Sequence, residues 1–157
     1  MPGGLMRGHL PLEIRPAGPS DGEEWLRMRC ELWPQAGRED LAKDVPVYFG
    51  NPDTHLVMVA AMPEGGLAGF AEFRLRNFAD ECYTSPVAYL EGWYVDADVR
   101  RHGIGRRLVA GAESWARARG CLEFGSDALA ENEVSRAAHR AMGFEEGSVV
   151  VHFRRSI

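Results

Sequence analysis

The chain has 157 residues, 45% hydrophobic and 26% charged, the usage of one ordinary globular domain, which excludes disordered, collagen-like and disulfide-scaffold chains. Its net charge of -5 opposes attraction to nucleic-acid phosphates, no apolar run approaches the ~20 residues of a membrane-spanning helix, and the start lacks the apolar stretch of a secretory signal; a soluble cytoplasmic protein with no nucleic-acid or membrane partner is expected. Three cysteines, Cys30, Cys82 and Cys121, are widely spaced without a CxxC pair, which supports neither a disulfide framework nor a metal site.

Residues 1–11, MPGGLMRGHLP, are rich in Gly and Pro without periodicity and predict a flexible leader, with Met6 as an alternative start; residues 12–157 are then a single domain. A short strand is expected over Leu12 to Arg15. A helix follows Pro19-Ser20-Asp21, with Ser20 as cap, Glu23 and Glu24 in the positive first turn and Trp25, Met28 and Leu32 at helical spacing. It stops before Pro34, leaving Trp33 at its exit. A second helical stretch, Glu39 to Phe49, is interrupted by Pro46. His55 to Met62 and Leu67 to Leu75 then form an antiparallel pair around the turn Pro63 to Gly66. A polar loop, Arg76 to Pro86, leads to a strand over Val87 to Val95. Gly103 to Arg119 predicts a helix with Ile104, Leu108, Val109, Ala112, Trp115 and Ala116 on one face, closed by Gly120. Cys121 to Ser126 is expected as a strand parallel to the previous one, Glu131 to Met142 as a helix and Gly143 to Arg154 as one or two closing strands. This order describes one mixed α/β sheet.

The sharpest local feature is Val95-Asp-Ala-Asp-Val-Arg-Arg-His-Gly-Ile-Gly-Arg106, where a strand ends, an Arg- and Gly-rich loop follows and an amphipathic helix begins. Gly103 and Gly105 permit close backbone approach, and the first helical N–H groups lack intrahelical partners beside the positive end of the helix dipole. This is an anion site, to which Arg101 and Arg106 can add charge. Neither GxGxxG nor GxxxxGK[ST] is present, so dinucleotide and nucleoside-triphosphate fingerprints fail. Read alone, the loop is equally a tight turn with arginines on a solvated face.

On the acceptor side, Tyr89, Glu91, Trp93 and Val95 share one strand face by period two. A carboxylate among aromatics is costly unless the face borders a wet cleft or the carboxylate meets a cation. Asp127 follows the Leu122 to Ser126 strand, and ligands in open α/β sheets gather beyond carboxyl strand ends; as a turn or cap residue it would need no ligand. Trp33 and Phe78 can flank a flat ligand or join the core. Residues 1–98 carry 8 basic and 16 acidic side chains, residues 99–157 carry 10 and 7, so the first part can steer a cationic small molecule.

Arg100-Arg-His-Gly103-Ile-Gly105 resembles the pyrophosphate loop, R/Q-x-x-G-x-G/A, of the GCN5-related N-acetyltransferase (GNAT) family. Asn132, Ser135, His139 and Gly143-Phe144 match the spacing of that family's Asn-x-x-Ala-x-x-x-Tyr-x-x-x-Gly-Phe helix. By themselves, Asn132 is equally a helix cap and His139 a satisfied, half-buried side chain. The resemblance, from Leu12 onward, implies the GNAT fold, an α/β protein whose central mixed sheet has splayed parallel strands flanked by about four helices. It also implies acetyl-CoA as co-substrate, without a metal. His139 stands where many members have a proton-donating tyrosine; a histidinium can also donate a proton, or the residue is structural.

Leu32-Trp33-Pro34, Cys82-x-Thr84-Ser85-Pro86-Val87, Leu90-Glu91-Gly92, Ser126-Asp127 and His139-Arg-Ala-Met-Gly-Phe-Glu-Glu146 are together similar to the aminoglycoside 6'-N-acetyltransferases. This likeness implies that Trp33, Phe78, Glu91 and Asp127 contact the antibiotic. Trp93, Tyr94, Val95, the segment Arg101, His102, Gly103, Ile104, Gly105 and Arg106, and Asn132 would contact acetyl-CoA. It further implies a homodimer, and Ser148 replaces an acidic ligand of some relatives. An ammonium must lose a proton before it attacks a thioester, and carboxylates can both attract it and deprotonate it. Glu91 or Asp127, directly or through water, is the candidate base, and a backbone N–H near Val95 the candidate oxyanion donor. No cysteine has an acyl-carrier arrangement, so direct transfer in a ternary complex is expected. A polyamine, amino sugar or protein N-terminus as acceptor, or a non-catalytic acyl-CoA sensor, are the alternatives.

Overall fold

The computed structural model describes residues 11–157; residues 1–10 of the expected leader lie outside the described residues. Among the described residues five strands form one sheet in chain order: β1 (Glu13–Pro16), β2 (His55–Ala61), β3 (Leu67–Arg76), β4 (Val87–Val95) and β5 (Phe124–Gly125). The first three junctions are antiparallel and the last is parallel. Gly65 and Gly66, at φ 101° and 81°, supply the left-handed residues of the β2–β3 turn, which few side chains tolerate.

Two apolar layers cover the sheet. On one face α1 (Gly22–Leu32) and α3 (Asp44–Gly50) bring Trp25, Met28 and Tyr48 against Val57, Val59 and Phe70. On the other, α4 (Ile104–Gly111) packs Ile104, Leu108 and Val109 on Met58, Phe73, Leu90 and Val95. The helix lies close: a Cβ on Gly111 would come within 2.8 Å of Met58 and 3.1 Å of Ile14.

Several local expectations change. Asp21, not Ser20, organises the entry to α1, accepting from Gly18 N–H (2.8 Å) and pairing with Arg15 (2.7 Å), because Pro19–Asp21 forms a 3-10 turn that moves the helix start past Ser20. The Glu39 to Phe49 stretch is two helices, α2 (Arg38–Ala42) and α3. Pro46 falls in the first turn of α3, where its missing N–H costs nothing, so the break comes upstream at Lys43. The long helix is likewise divided at Ala112 into α4 and α5 (Glu113–Ala118), next to Gly111, a poor helix former. The apolar stripe continues through buried Ala112 and Ala116, and Gly120 closes it at φ 82°.

The expected Cys121 to Ser126 strand shrinks to Phe124–Gly125, after which α6 spans Glu133–Ala141. No strand forms over Gly143 to Arg154. With only two residues of β5 paired, that sheet edge offers no ladder to extend, and Val149, Val150, Val151 and Phe153 are exposed.

The β3–β4 register breaks where it matters. Glu72 pairs with Gly92 and Phe73 with Leu90, so Glu91 is an extra residue. A bulge of this kind bends the strand and re-aims its side chains. Leu90, Trp93 and Val95 face α4, whereas Tyr94 joins the α1 layer and Gly92 lies against Trp33. Tyr89, Glu91, Trp93 and Val95 therefore do not share a face, because the bulge resets the alternation between Glu91 and Trp93.

Candidate active site

Two differently charged regions meet along β4. Parallel pairing with β5 is confined to Ala88↔Phe124 and Tyr89↔Gly125, so from Glu91 to Val95 this edge of β4 has no strand partner. Ser126 reaches across the opening, its hydroxyl 3.1 Å from the Leu90 carbonyl oxygen and 2.9 Å from His139 Nε2. The strands splay into a wedge with unused backbone groups along one wall.

The anion loop lies beyond the end of β4. Arg101 (φ 65°) and Gly103 (φ 72°) both adopt left-handed backbone, and Gly103 is the N-cap of α4. The first helical bond runs from Arg107 N–H to the Gly103 carbonyl (3.1 Å), so the N–H groups of Ile104, Gly105 and Arg106 have no intrahelical partner. Nothing lies within 4 Å of a Cβ placed on Gly103, whereas one on Gly105 would meet Trp93 at 3.2 Å and Met142 at 3.3 Å. Gly105 is thus a packing glycine, and Gly103 presents bare backbone. Arg100, which sequence reasoning left out of the site, fixes the loop: Nε donates to the Val95 carbonyl (2.7 Å) and the guanidinium lies over Tyr94 (5.4 Å). His102 Nδ1 donates to the Arg100 carbonyl (2.9 Å) and Arg106 donates to the Ala141 carbonyl (3.4 Å); the exposed Arg101 side chain is the loop's freest cation. This cradle fits a diphosphate: exposed amides, a left-handed cap and surrounding arginines.

Asn132 caps α6, accepting from Ser135 N–H (3.0 Å). His139 donates from Nδ1 to the Ser135 carbonyl (2.8 Å), has Nε2 2.9 Å from the Ser126 hydroxyl oxygen and stands edge-on to Trp93 with centroids 6.3 Å apart. Both ring nitrogens have partners, and the ring forms part of the wedge wall with Trp93.

On the α1 side, Trp33 and Glu91 line a cavity of about 220 Å3 with Arg29, Asp44, Tyr48, Glu72 and Arg74, room for roughly one sugar-sized ring. Asp127 and Phe78 are not in its wall. Phe78 is 70% exposed in the loop after β3, while Asp127 is tied in through Tyr89, whose hydroxyl donates to Oδ2 (2.9 Å). A second cavity of about 230 Å3, beside α5 and β5, shares no lining residue with the first and holds none of the candidate site residues.

Glu91 meets its cations within the chain. Arg76 grips it bidentately (Nε to Oε1 3.0 Å, Nη2 to Oε2 2.7 Å) and Arg74 adds a third bond (3.2 Å). Beneath Trp33 lies a pair that sequence reasoning missed: Arg29 and Glu72, 3% and 1% exposed, joined at 3.0 and 3.2 Å. Arg29 also donates to the Leu41 carbonyl (2.6 Å) and Asp44 (2.8 Å), and its guanidinium lies over Trp33 at 5.1 Å. Burial pushes the Glu72 carboxyl up, to about 7, against the pull of Arg29. The available signal was an arginine in the apolar stripe of α1 and one acid inside the apolar run Leu67 to Phe73. At Ser148 the backbone N–H donates to the carboxylate of Glu81 (2.9 Å), in the loop before β4.

The sequence model of the acetyltransferase (GNAT) family matches residues 23–144. The chain is similar to an aminoglycoside N(6')-acetyltransferase type 1 of Klebsiella aerogenes, 42% identical over 92% of this chain and 96% of the relative. It is 40% identical to one of Stenotrophomonas maltophilia, over 90% and 91%. Among solved structures it is similar to the aminoglycoside 6'-N-acetyltransferase AAC(6')-Ih of Acinetobacter baumannii (TM-score 0.86, 35% identity, 93% of this chain and 99% of that one). It is equally similar to AAC(6')-Iy in complex with the bisubstrate analogue CoA-S-monomethyl-acetylneamine (TM-score 0.86, 31% identity, 93% and 99%). With the pyrophosphate-type loop, the wedge and the family match covering most of the sequence, the chain belongs to the GNAT acetyltransferase family.

Proposed function

We propose that this protein transfers the acetyl group of acetyl-CoA to the 6'-amino group of aminoglycoside antibiotics, in a ternary complex, and so confers resistance to them. The carrying observation is the bulge in β4, which turns Glu91 toward the Trp33 cavity while leaving Trp93 and Val95 beside the wedge and the α4 N-terminus. One strand then serves an anionic donor on one side and a cationic acceptor on the other. The similarity to aminoglycoside N(6')-acetyltransferases over nearly the full chain supports the acceptor class, and the relative bound to a CoA–neamine conjugate supports both substrates.

Acetyl-CoA supplies the acetyl group as an activated thioester. In this reading the amides of Gly103 to Arg106 and the Arg101 side chain hold its diphosphate, Trp93, Tyr94 and Val95 line its arm, and Asn132 borders it. Glu91 and Asp127 attract the acceptor ammonium, and one of them, directly or through water, takes its proton. Trp33 and Phe78 flank the sugar. His139, in the wedge wall beside Trp93, returns a proton to the departing thiolate from Nε2, which its ring must carry as the imidazolium because Nδ1–H is held by the Ser135 carbonyl. Residues 12–157 act as one domain in the cytoplasm. The uncovered apolar run Val149 to Val151 with Phe153 supports a homodimer, and no described helix is long and apolar enough to cross a membrane.

The test is thiol release from acetyl-CoA with matched aminoglycosides bearing a 6'-amine or a 6'-hydroxyl. Turnover of the first alone is expected. Equal turnover of both refutes the regiospecificity, and acetyl-CoA binding without turnover of any amine favours a sensor.

A further inference from the structure

A carboxylate that is to receive a substrate ammonium is ordinarily open. Glu91 is not: its side chain is 17% exposed and both oxygens are held by Arg76, at 2.7 and 3.0 Å. Arg76 is itself fixed, its guanidinium carbon 3.6 Å from the centre of the Tyr89 ring, while the Tyr89 hydroxyl donates to Asp127. One internal cation thus occupies Glu91 and sits on the aromatic that reaches the second candidate carboxylate.

We propose that Arg76 is an internal competitor for Glu91, which an acceptor must displace and which thereby lowers acceptor affinity. The inference rests on the aminoglycoside reading and deepens it. A bidentate guanidinium–carboxylate pair is a strong charge-assisted contact with matched geometry. An acceptor with one ammonium exchanges that pair for a single-point contact and returns Arg76 to solvent, with little net gain. A polycation displaces Arg76 while also meeting Asp127 and Asp44, whose side chain is half-exposed on the cavity rim. The cost of releasing Glu91 from Arg76 falls on every acceptor that reaches it, and an acceptor with further ammonium groups recovers it at other carboxylates. Arg74 makes one bond to Glu91 and is more exposed, so it can hold the carboxylate in place when Arg76 leaves.

The experiment compares wild type, Arg76→Gln and Arg76→Lys. Neamine binding to the CoA-loaded protein is measured by calorimetry, and kcat/KM is measured for neamine and for 6-amino-6-deoxyglucose, a single-amine acceptor with related ring chemistry. Arg76→Gln is expected to tighten neamine binding roughly 3- to 10-fold and to raise kcat/KM for both acceptors, with the neamine preference held or widened. Arg76→Lys, with one contact in place of two, is expected to shift both in the same direction by less, which keeps the proposal testable should the Gln variant fail to fold. An unchanged KM for acetyl-CoA marks an intact protein. Neamine binding that weakens or stays the same, or a preference that narrows, overturns the proposal and leaves Arg76 as a positioning residue for Glu91. That failure differs from failure of the function, which would be absence of wild-type thiol release with every aminoglycoside.

Discussion

Gly92→Ala tests the division of labour along β4 with one methyl group. A Cβ at Gly92 would lie 2.6 Å from Trp33 Cη2, 2.7 Å from Cζ2 and 3.2 Å from a Leu32 methyl. Ordinary carbon contact is about 3.5–4.0 Å, so the ring must retreat by about 1 Å. Retreat is resisted by the Arg29 guanidinium lying over Trp33 and anchored to Glu72, Asp44 and the Leu41 carbonyl. Overpacking of this kind costs about 1–3 kcal/mol of stability, and a platform displaced by about 1 Å costs up to ~100-fold in rate. With thiol release followed at saturating acetyl-CoA, kcat/KM for neamine is expected to fall roughly 10- to 100-fold, while KM for acetyl-CoA stays within about 2-fold. Gly105→Ala, crowding Trp93 and Met142 on the opposite face, should raise KM for acetyl-CoA instead. An unchanged neamine constant in Gly92→Ala, or equal damage to both substrates, refutes the two-sided strand.

Glu91→Gln and Asp127→Asn should each lower acceptor turnover at least ~10-fold with acetyl-CoA binding nearly intact by calorimetry; comparable loss of cofactor binding in both contradicts their assignment. Arg101→Ala should raise KM for acetyl-CoA several-fold. Arg101→Gly should do the same yet melt higher than Arg101→Ala, since φ 65° costs a non-glycine residue about 1 kcal/mol; unchanged cofactor dependence in both removes the side chain from the site. The buried Glu72 carboxyl, raised to about 7 from 4.5, binds its proton more tightly in the folded than in the unfolded chain. Its stabilising contribution is complete below the unfolded value and fades as pH rises through the folded one. The wild-type Tm should therefore fall relative to that of Glu72→Gln between about pH 5 and about pH 8, and parallel Tm profiles would show that Arg29 keeps Glu72 ionised throughout.

The local chemistry of the donor side was legible because it is written in contiguous residues. Gly103, Arg101 and the α4 stripe announce a loop and helix start without reference to anything distant, and the antiparallel pair β2–β3 follows from its own turn. What the sequence could not convey depends on register. Period-two counting places Tyr89, Glu91, Trp93 and Val95 together, and only the alignment of β3 with β4 reveals Glu91 as the extra residue. Arg74 and Arg76 find Glu91 across that same irregular junction, so the cation expected from a substrate is found first in the chain. Arg29 and Glu72 lie 43 residues apart and explain each other only when α1 is laid on the sheet. The closing strands were overread because valine-rich alternation signals a willingness to pair, while pairing needs a neighbouring edge that β5 does not extend.

The irregular residue at Glu91 also sets what the gene can tolerate. Substitutions around the Trp33 cavity can accumulate without disturbing the α4 side, since the two sets of side chains leave opposite surfaces of one backbone. Removing Glu91 alone would leave Leu90, Gly92, Trp93 and Tyr94 in plain alternation, with the partners and faces they already have. A one-codon deletion of Glu91 should therefore keep the β3–β4 register and the α4 face and take away the carboxylate alone.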